Sequence, residues 1–181
     1  METLMHDDHF LEPNYTPEQD EWSVVRYESE KNFYMLSFVE AKKYNGQIQN
    51  DIKYFVDTSK KQVDFIAEPH GTPIVSKKLL DIIQEFEKNI QVLDAPLYGE
   101  KTNDPIKGYY IVNYLNLLDC IDKELSRFSS DGDLLMEEVI DESKVPEDIF
   151  IVRLQQMPYK ELFRRDLAMA IHKVVSPGYS F

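Results

Sequence analysis

The apolar positions of this chain fall in short runs with one clear helical stretch, and that grain predicts its elements. Trp22 to Tyr27 alternates in the manner of a strand. Phe33 to Val39 ("FYMLSFV") is a compact apolar run before the turn-forming Asn45-Gly46, which predicts a buried strand. Tyr54 to Asp57 and Val63 to Ala67 predict two short strands with "TSKK" as the turn between them. After Ser76 the period changes. "SKKLLDIIQEFEKN" sets Leu79, Ile82, Ile83, Phe86 and Ile90 at helical spacing, and the Ser76 hydroxyl can cap the free amides, so a helix is predicted near 76–89. Ile90 to Leu97 then predicts a strand that ends in the loop "YGEKTNDPIKG".

Tyr109 to Tyr114 and Ile149 to Leu154 predict two further strands from their aromatic and β-branched content. A second helix is predicted near 166–175, with Asp166 as cap and Leu167, Ala170, Ile171 and Val174 on one face; "SPGYSF" stops it and leaves an extended end. Strands in runs with two separated helices predict an α+β fold: a single domain of short, mainly antiparallel strands with about two main helices. Residues 1–20, acidic and broken by Pro13 and Pro17, predict a poorly ordered or irregular N-terminal segment, and residues 21–181 the domain itself.

Composition supports a packed core. A chain of 181 residues with 43% apolar and 12% aromatic content is long enough to bury roughly 70% of its unfolded surface. A single cysteine excludes an internal disulfide and a cysteine-rich zinc site. The N-terminus has neither the basic nor the apolar part of a signal peptide, and no run approaches the roughly 20 apolar residues of a membrane span. The expectation is a cytoplasmic protein with no membrane partner. Nothing in the pattern sets an oligomeric state.

Charge changes the picture more. The net charge is −13; residues 1–30 carry −8 and residues 131–148 carry −7, which leaves +2 for the rest. Binding nucleic acid requires clustered Lys and Arg, so the sign excludes it. Acidic segments draw in basic proteins instead.

The candidate chemical sites fail on inspection. "HDDH" at His6 to His9 has metal-compatible groups, but four contiguous residues complete no coordination shell. "DGDLLMEEVIDE", Asp131 to Glu142, places acids as a calcium loop does at its ends, yet Leu135 and Met136 replace an oxygen ligand and the turn glycine. "YGEKT" lacks the glycines and the Gly-Lys-Ser/Thr of a phosphate loop. Cys120 lies between Asp119 and Asp122, which oppose a thiolate, and reads as a small buried hydrophobe. No catalytic, cofactor or metal residue is assigned. The alternative classes are a small hydrolase or metal-dependent enzyme built on acids with His6, His9, His70 or His172, and a general protein-interaction module.

Four stretches in order resemble a known family. They are "PIVSKKLLDIIQEF" (Pro73 to Phe86), "YYIVN" with "LDCIDKELS" (Tyr109 to Asn113 and Leu118 to Ser126), "IFIVRL" (Ile149 to Leu154) and "RDLAMAIHKVVSPGYSF" (Arg165 to Phe181). Their order and spacing are similar to those of the eleventh immunity-protein family of bacterial polymorphic toxin systems, over roughly Trp22 to Phe181. That resemblance implies a non-enzymatic antidote that binds a cognate toxin and protects the cell making it. Many such toxins are basic nucleases, so the acids Asp131, Asp133, Glu137, Glu138, Asp141 and Glu142 are the expected toxin-facing residues.

Overall fold

A computed structural model describes residues 9–29, 38, 40–68, 73–129, 135–175 and 179–181. Its elements begin with β1 (Phe10–Leu11), β2 (Asn14–Tyr15), β3 (Val24–Ser29), α1 (Ile48–Asp51), β4 (Ile52–Val56), β5 (Phe65–Ile66), β6 (Ile74–Ser76) and α2 (Lys77–Phe86). There follow β7 (Ile90–Asp94), β8 (Leu97–Gly99), β9 (Pro105–Ile106), β10 (Tyr109–Tyr114), β11 (Leu117–Leu118), β12 (Arg127–Phe128) and β13 (Leu135–Glu137). A 3₁₀ turn at Glu142–Lys144 leads to β14 (Ile151–Leu154), β15 (Met157–Arg164), α3 (Arg165–His172) and β16 (Tyr179–Ser180).

These strands form three four-stranded sheets, ordered β3-β4-β8-β9, β5-β6-β10-β7 and β1-β15-β14-β11, with two-stranded ribbons β12-β13 and β16-β2. Pairing is antiparallel except for β4 with β8 and β11 with β14. The protein is an α+β single domain.

The alternation within β10 explains how the sheets stack. Tyr109 and Ile111 face a core shared with Tyr54 and Val56 of β4 and Leu97 of β8. Val112 and Tyr114 face a second core with Leu79, Leu80 and Ile83 of α2, Leu167 and Ile171 of α3, and Ile151 and Phe163 of the third sheet. The opposite face of that third sheet, with Val152, Leu154 and Leu162, covers a smaller core around Cys120, Ile121 and Val145. Each fully buried aliphatic side chain contributes roughly 1.5–3 kcal/mol.

The α2 helix forms as its period dictates. The Ser76 Oγ accepts from the Leu79 amide at 3.2 Å, and Leu79, Leu80 and Ile83 fill the buried face. At its end, the buried Glu87 carboxylate accepts from the amides of Asn89, Phe150 and Ile151 at 2.8, 3.0 and 3.1 Å. That ties the helix to the start of β14. Arg153, buried on β14, donates to the Phe38 carbonyl and pairs with Glu161 of β15. Burial pushes the Glu161 carboxyl up to about 7, against the opposing pull of Arg153.

Several expectations need correction. Phe33 to Val39 lies outside the described residues apart from Phe38, which is buried and helical, not extended. The two strands on either side of "TSKK" are present as β4 and the shorter β5, in different sheets: Lys61, just past the turn, bonds to Asp20 and Trp22 before the chain reaches β5. The Ile90 to Leu97 strand is two, because Ala95-Pro96 leaves one sheet for the other and proline has no amide to continue the ladder. The last helix runs Arg165–His172 directly out of β15, and Asp166 sits in its first turn rather than at the cap. From His9 onward the N-terminal segment is tied in, since β1 pairs with β15 and β2 with β16; residues 1–8 lie outside the described residues.

Candidate partner-binding cleft

The stretch after β10 builds a mount for the acidic ribbon. Cys120 and Ile121 are wholly buried, and burial, the largest influence, pushes the Cys120 thiol up to about 11. It is a protonated core residue. The Asp122 carboxylate accepts from the Glu124 and Leu125 amides at 2.9 and 3.1 Å, which closes a tight turn. The turn places the Ser126 hydroxyl against Val139, where it accepts from the amide at 2.8 Å and donates to the carbonyl at 3.3 Å. Backbone bonds from Asp122 N to Val139 O and from Asp141 N to Cys120 O, both 2.8 Å, complete the attachment. Asp119 takes no part in that turn; it accepts from Gln156 Nε2 at 2.8 Å.

Beside this mount opens a cleft of about 430 Å³. One wall is His9 to Glu12 and the other is Glu137 to Ile140 with Glu142, while Leu162 lies between them. The expected toxin-facing acids separate into three groups here. Asp131 and Asp133 lie outside the described residues. Glu138 and Asp141 are engaged in holding the structure. Lys160 donates to Glu138 and reaches Glu12 at 2.9 Å. Burial alone would depress the Lys160 ammonium, but its bonds to the two carboxylates outweigh that and hold it above the ordinary lysine value. Asp141 starts the 3₁₀ turn, accepts from Ser143 N and Oγ at 3.2 and 2.6 Å, and pairs with Lys144 at 3.1 Å. The Ser143 bonds and then the lysine hold its carboxyl below the usual aspartate range.

Glu137 and Glu142 are different. They are 67% and 52% exposed, and their contacts, Arg127 at 3.5 Å and His9 at 3.8 Å, are equally open to water. Exposed pairs of this kind are worth about 0–1 kcal/mol, so either carboxylate exchanges partners at little cost. Sequence reasoning missed Glu12 and Lys160. Glu12 belongs to a segment whose sequence predicts irregular structure, and Lys160 to a strand whose apolar pattern is broken by Lys160 and Glu161.

The whole of this arrangement falls within a recognised family. A model of the immunity protein family Imm11 matches residues 5–169, both walls of the cleft included. The chain belongs to the Imm11 family. Among curated proteins, no match is found.

An immunity role follows from Imm11 membership, and the enzyme candidates take their place beside it. His6 and His70 lie outside the described residues. His9 stands exposed at the cleft and His172 in the last turn of α3. Among the described residues, no three His, Cys, Asp or Glu side chains converge on a point that could hold a metal ion. A second hollow of about 460 Å³, between Asp94 and Tyr110, has one carboxylate and no histidine among its lining residues. No helix among the described residues is long and apolar enough to cross a membrane.

Proposed function

We propose that this Imm11 protein is a non-enzymatic antidote of a bacterial polymorphic toxin system, which binds its cognate toxin in the cytoplasm through the acidic cleft. One observation carries the proposal: Glu137 and Glu142 stand exposed on a cleft wall that is fastened through its backbone to a buried mount. A carboxylate on a firm support draws in a cationic surface and needs no reorganisation to meet it. A nuclease is the toxin class that fits best, because the surface it uses to hold nucleic-acid phosphates is basic and carboxylates can occupy it in their place. Asp131 and Asp133, next to β13 in sequence, belong to the same proposed interface.

The test is association with the cognate toxin domain, measured by stopped flow at low and high salt. The double variant E137K/E142K should slow association by about ten-fold at low salt and flatten its salt dependence. Unchanged rates at low salt would remove the cleft as the interface and leave the immunity role standing.

A further inference from the structure

The two walls of the cleft come from distant parts of the chain, and how they are joined is informative. The first wall hangs on β1, a strand of only two residues paired to β15, with one further backbone bond from Arg165 N to His9 O at 2.8 Å. Phe10 and Leu11 are half-buried, each against a different core. Across the cleft, polar contacts bring His9–Glu12 to the ribbon, and Phe10 and Ile140 pack against the same small core. His9 faces Glu142 at 3.8 Å in full view of solvent. Deeper in, the Lys160 ammonium, on a side chain only 14% exposed, joins Glu12 of one wall to Glu138 of the other.

We propose that β1 is a strap held over the acidic cleft by the Glu12–Lys160–Glu138 clasp, and that undoing the clasp admits the basic segment of the partner. A two-residue strand has few backbone bonds of its own, and its two side chains are only half-buried, so it belongs to the low-stability end of the fold and opens locally before the sheets do. The clasp is the contact that raises the cost of opening. Lys160 is shielded enough for its pairs to outweigh exposed ones, which water and salt weaken. An incoming cation offers Glu12 and Glu138 the same chemistry that Lys160 does. One ammonium or guanidinium replaces another, so the partner favours the open strap by contacts that the closed one withholds. The strap itself stands on geometry alone; only the admission step rests on the cleft being the toxin-binding surface.

Two measurements on the full chain test this. The first is amide hydrogen exchange of the partner-free protein, which compares residues 9–15 with β7 and β10 in wild type, Glu12→Gln and Lys160→Arg. Glu12 is largely exposed, so Glu12→Gln should fold normally. It should speed exchange of the strap by about five-fold and leave β7 and β10 unchanged, while Lys160→Arg, which keeps the charge, stays near wild type. Equal strap exchange in wild type and Glu12→Gln would overturn the proposal, and so would an acceleration spread evenly over all segments. The second measurement is association with the cognate toxin. Removing an acid by itself slows a basic partner, so faster association of Glu12→Gln is the mark of a gate; slower or unchanged association overturns it. The E137K/E142K result bears on the cleft independently, which keeps the two failures apart.

Discussion

Glu87 and Glu138 are both glutamates drawn in from water, and they are held in opposite ways. Glu87, at 2% exposure, gives its oxygens to three backbone amides of the chain turning from α2 and entering β14. Those donors cannot rotate away or be exchanged for a partner's. Glu138 is held by one flexible lysine that it shares with Glu12. The helix-and-sheet region around Glu87 is therefore fixed by geometry, whereas the contact that joins Glu138 to the facing wall of the cleft is fixed by charge, which another charge can displace. Rigidity and exchangeability are kept on opposite faces of the third sheet, where Ile151 and Phe163 serve the first region and Val152 and Leu162 the second.

The sharpest break of this contrast is Ile83→Ala. A fully buried side chain shortened in the packed region should cost about 2–5 kcal/mol, read as a lower urea midpoint. Glu87→Ala comes next: three amides lose their acceptor, and the loss should be about 1–3 kcal/mol, with faster exchange at Phe150 and Ile151. Glu161→Gln tests the buried pair on the same sheet. Its folded carboxyl titrates at about 7 against the ordinary glutamate value of 4.5, so the native state binds a proton that the unfolded chain has lost between those values. Its contribution is fully present below about 4.5 and fades as pH rises through about 7. The stability of wild type relative to Glu161→Gln should decline over that window, and a flat difference would contradict it. The smallest effect belongs to the cleft: E137K/E142K should change stability by about 0.5 kcal/mol or less in thermal melts while changing partner association.

What the sequence made legible follows the same division. The Ser76 cap, the α2 period and the β10 strand were readable because each apolar position there has one structural use. The β15 strand, Met157–Arg164, was not, although it is the longest among the described residues. Lys160 and Glu161 interrupt its apolar pattern, and both are satisfied by partners distant in sequence or on a neighbouring strand, which no local period reveals. The Ile90 to Leu97 run misled for a related reason. Periodicity registers burial but not which of two stacked sheets receives the chain, and Ala95-Pro96 makes that transfer. At the cleft, the acidic composition counted every acid alike. Only the placement of Lys160, Ser143 and Lys144 separates structural carboxylates from available ones.

The mount built by Asp122 and Ser126 has a consequence for variation. Its hold on the ribbon runs through main-chain atoms, the amide and carbonyl of Val139 and the amide of Asp141. Every residue other than proline has those atoms. The grip therefore does not discriminate among outward side chains at Glu137 and Glu142, and a handful of substitutions there can rewrite the pattern offered to a partner while the socket beneath keeps its shape. Such a surface can change its outward charges without renegotiating its own architecture.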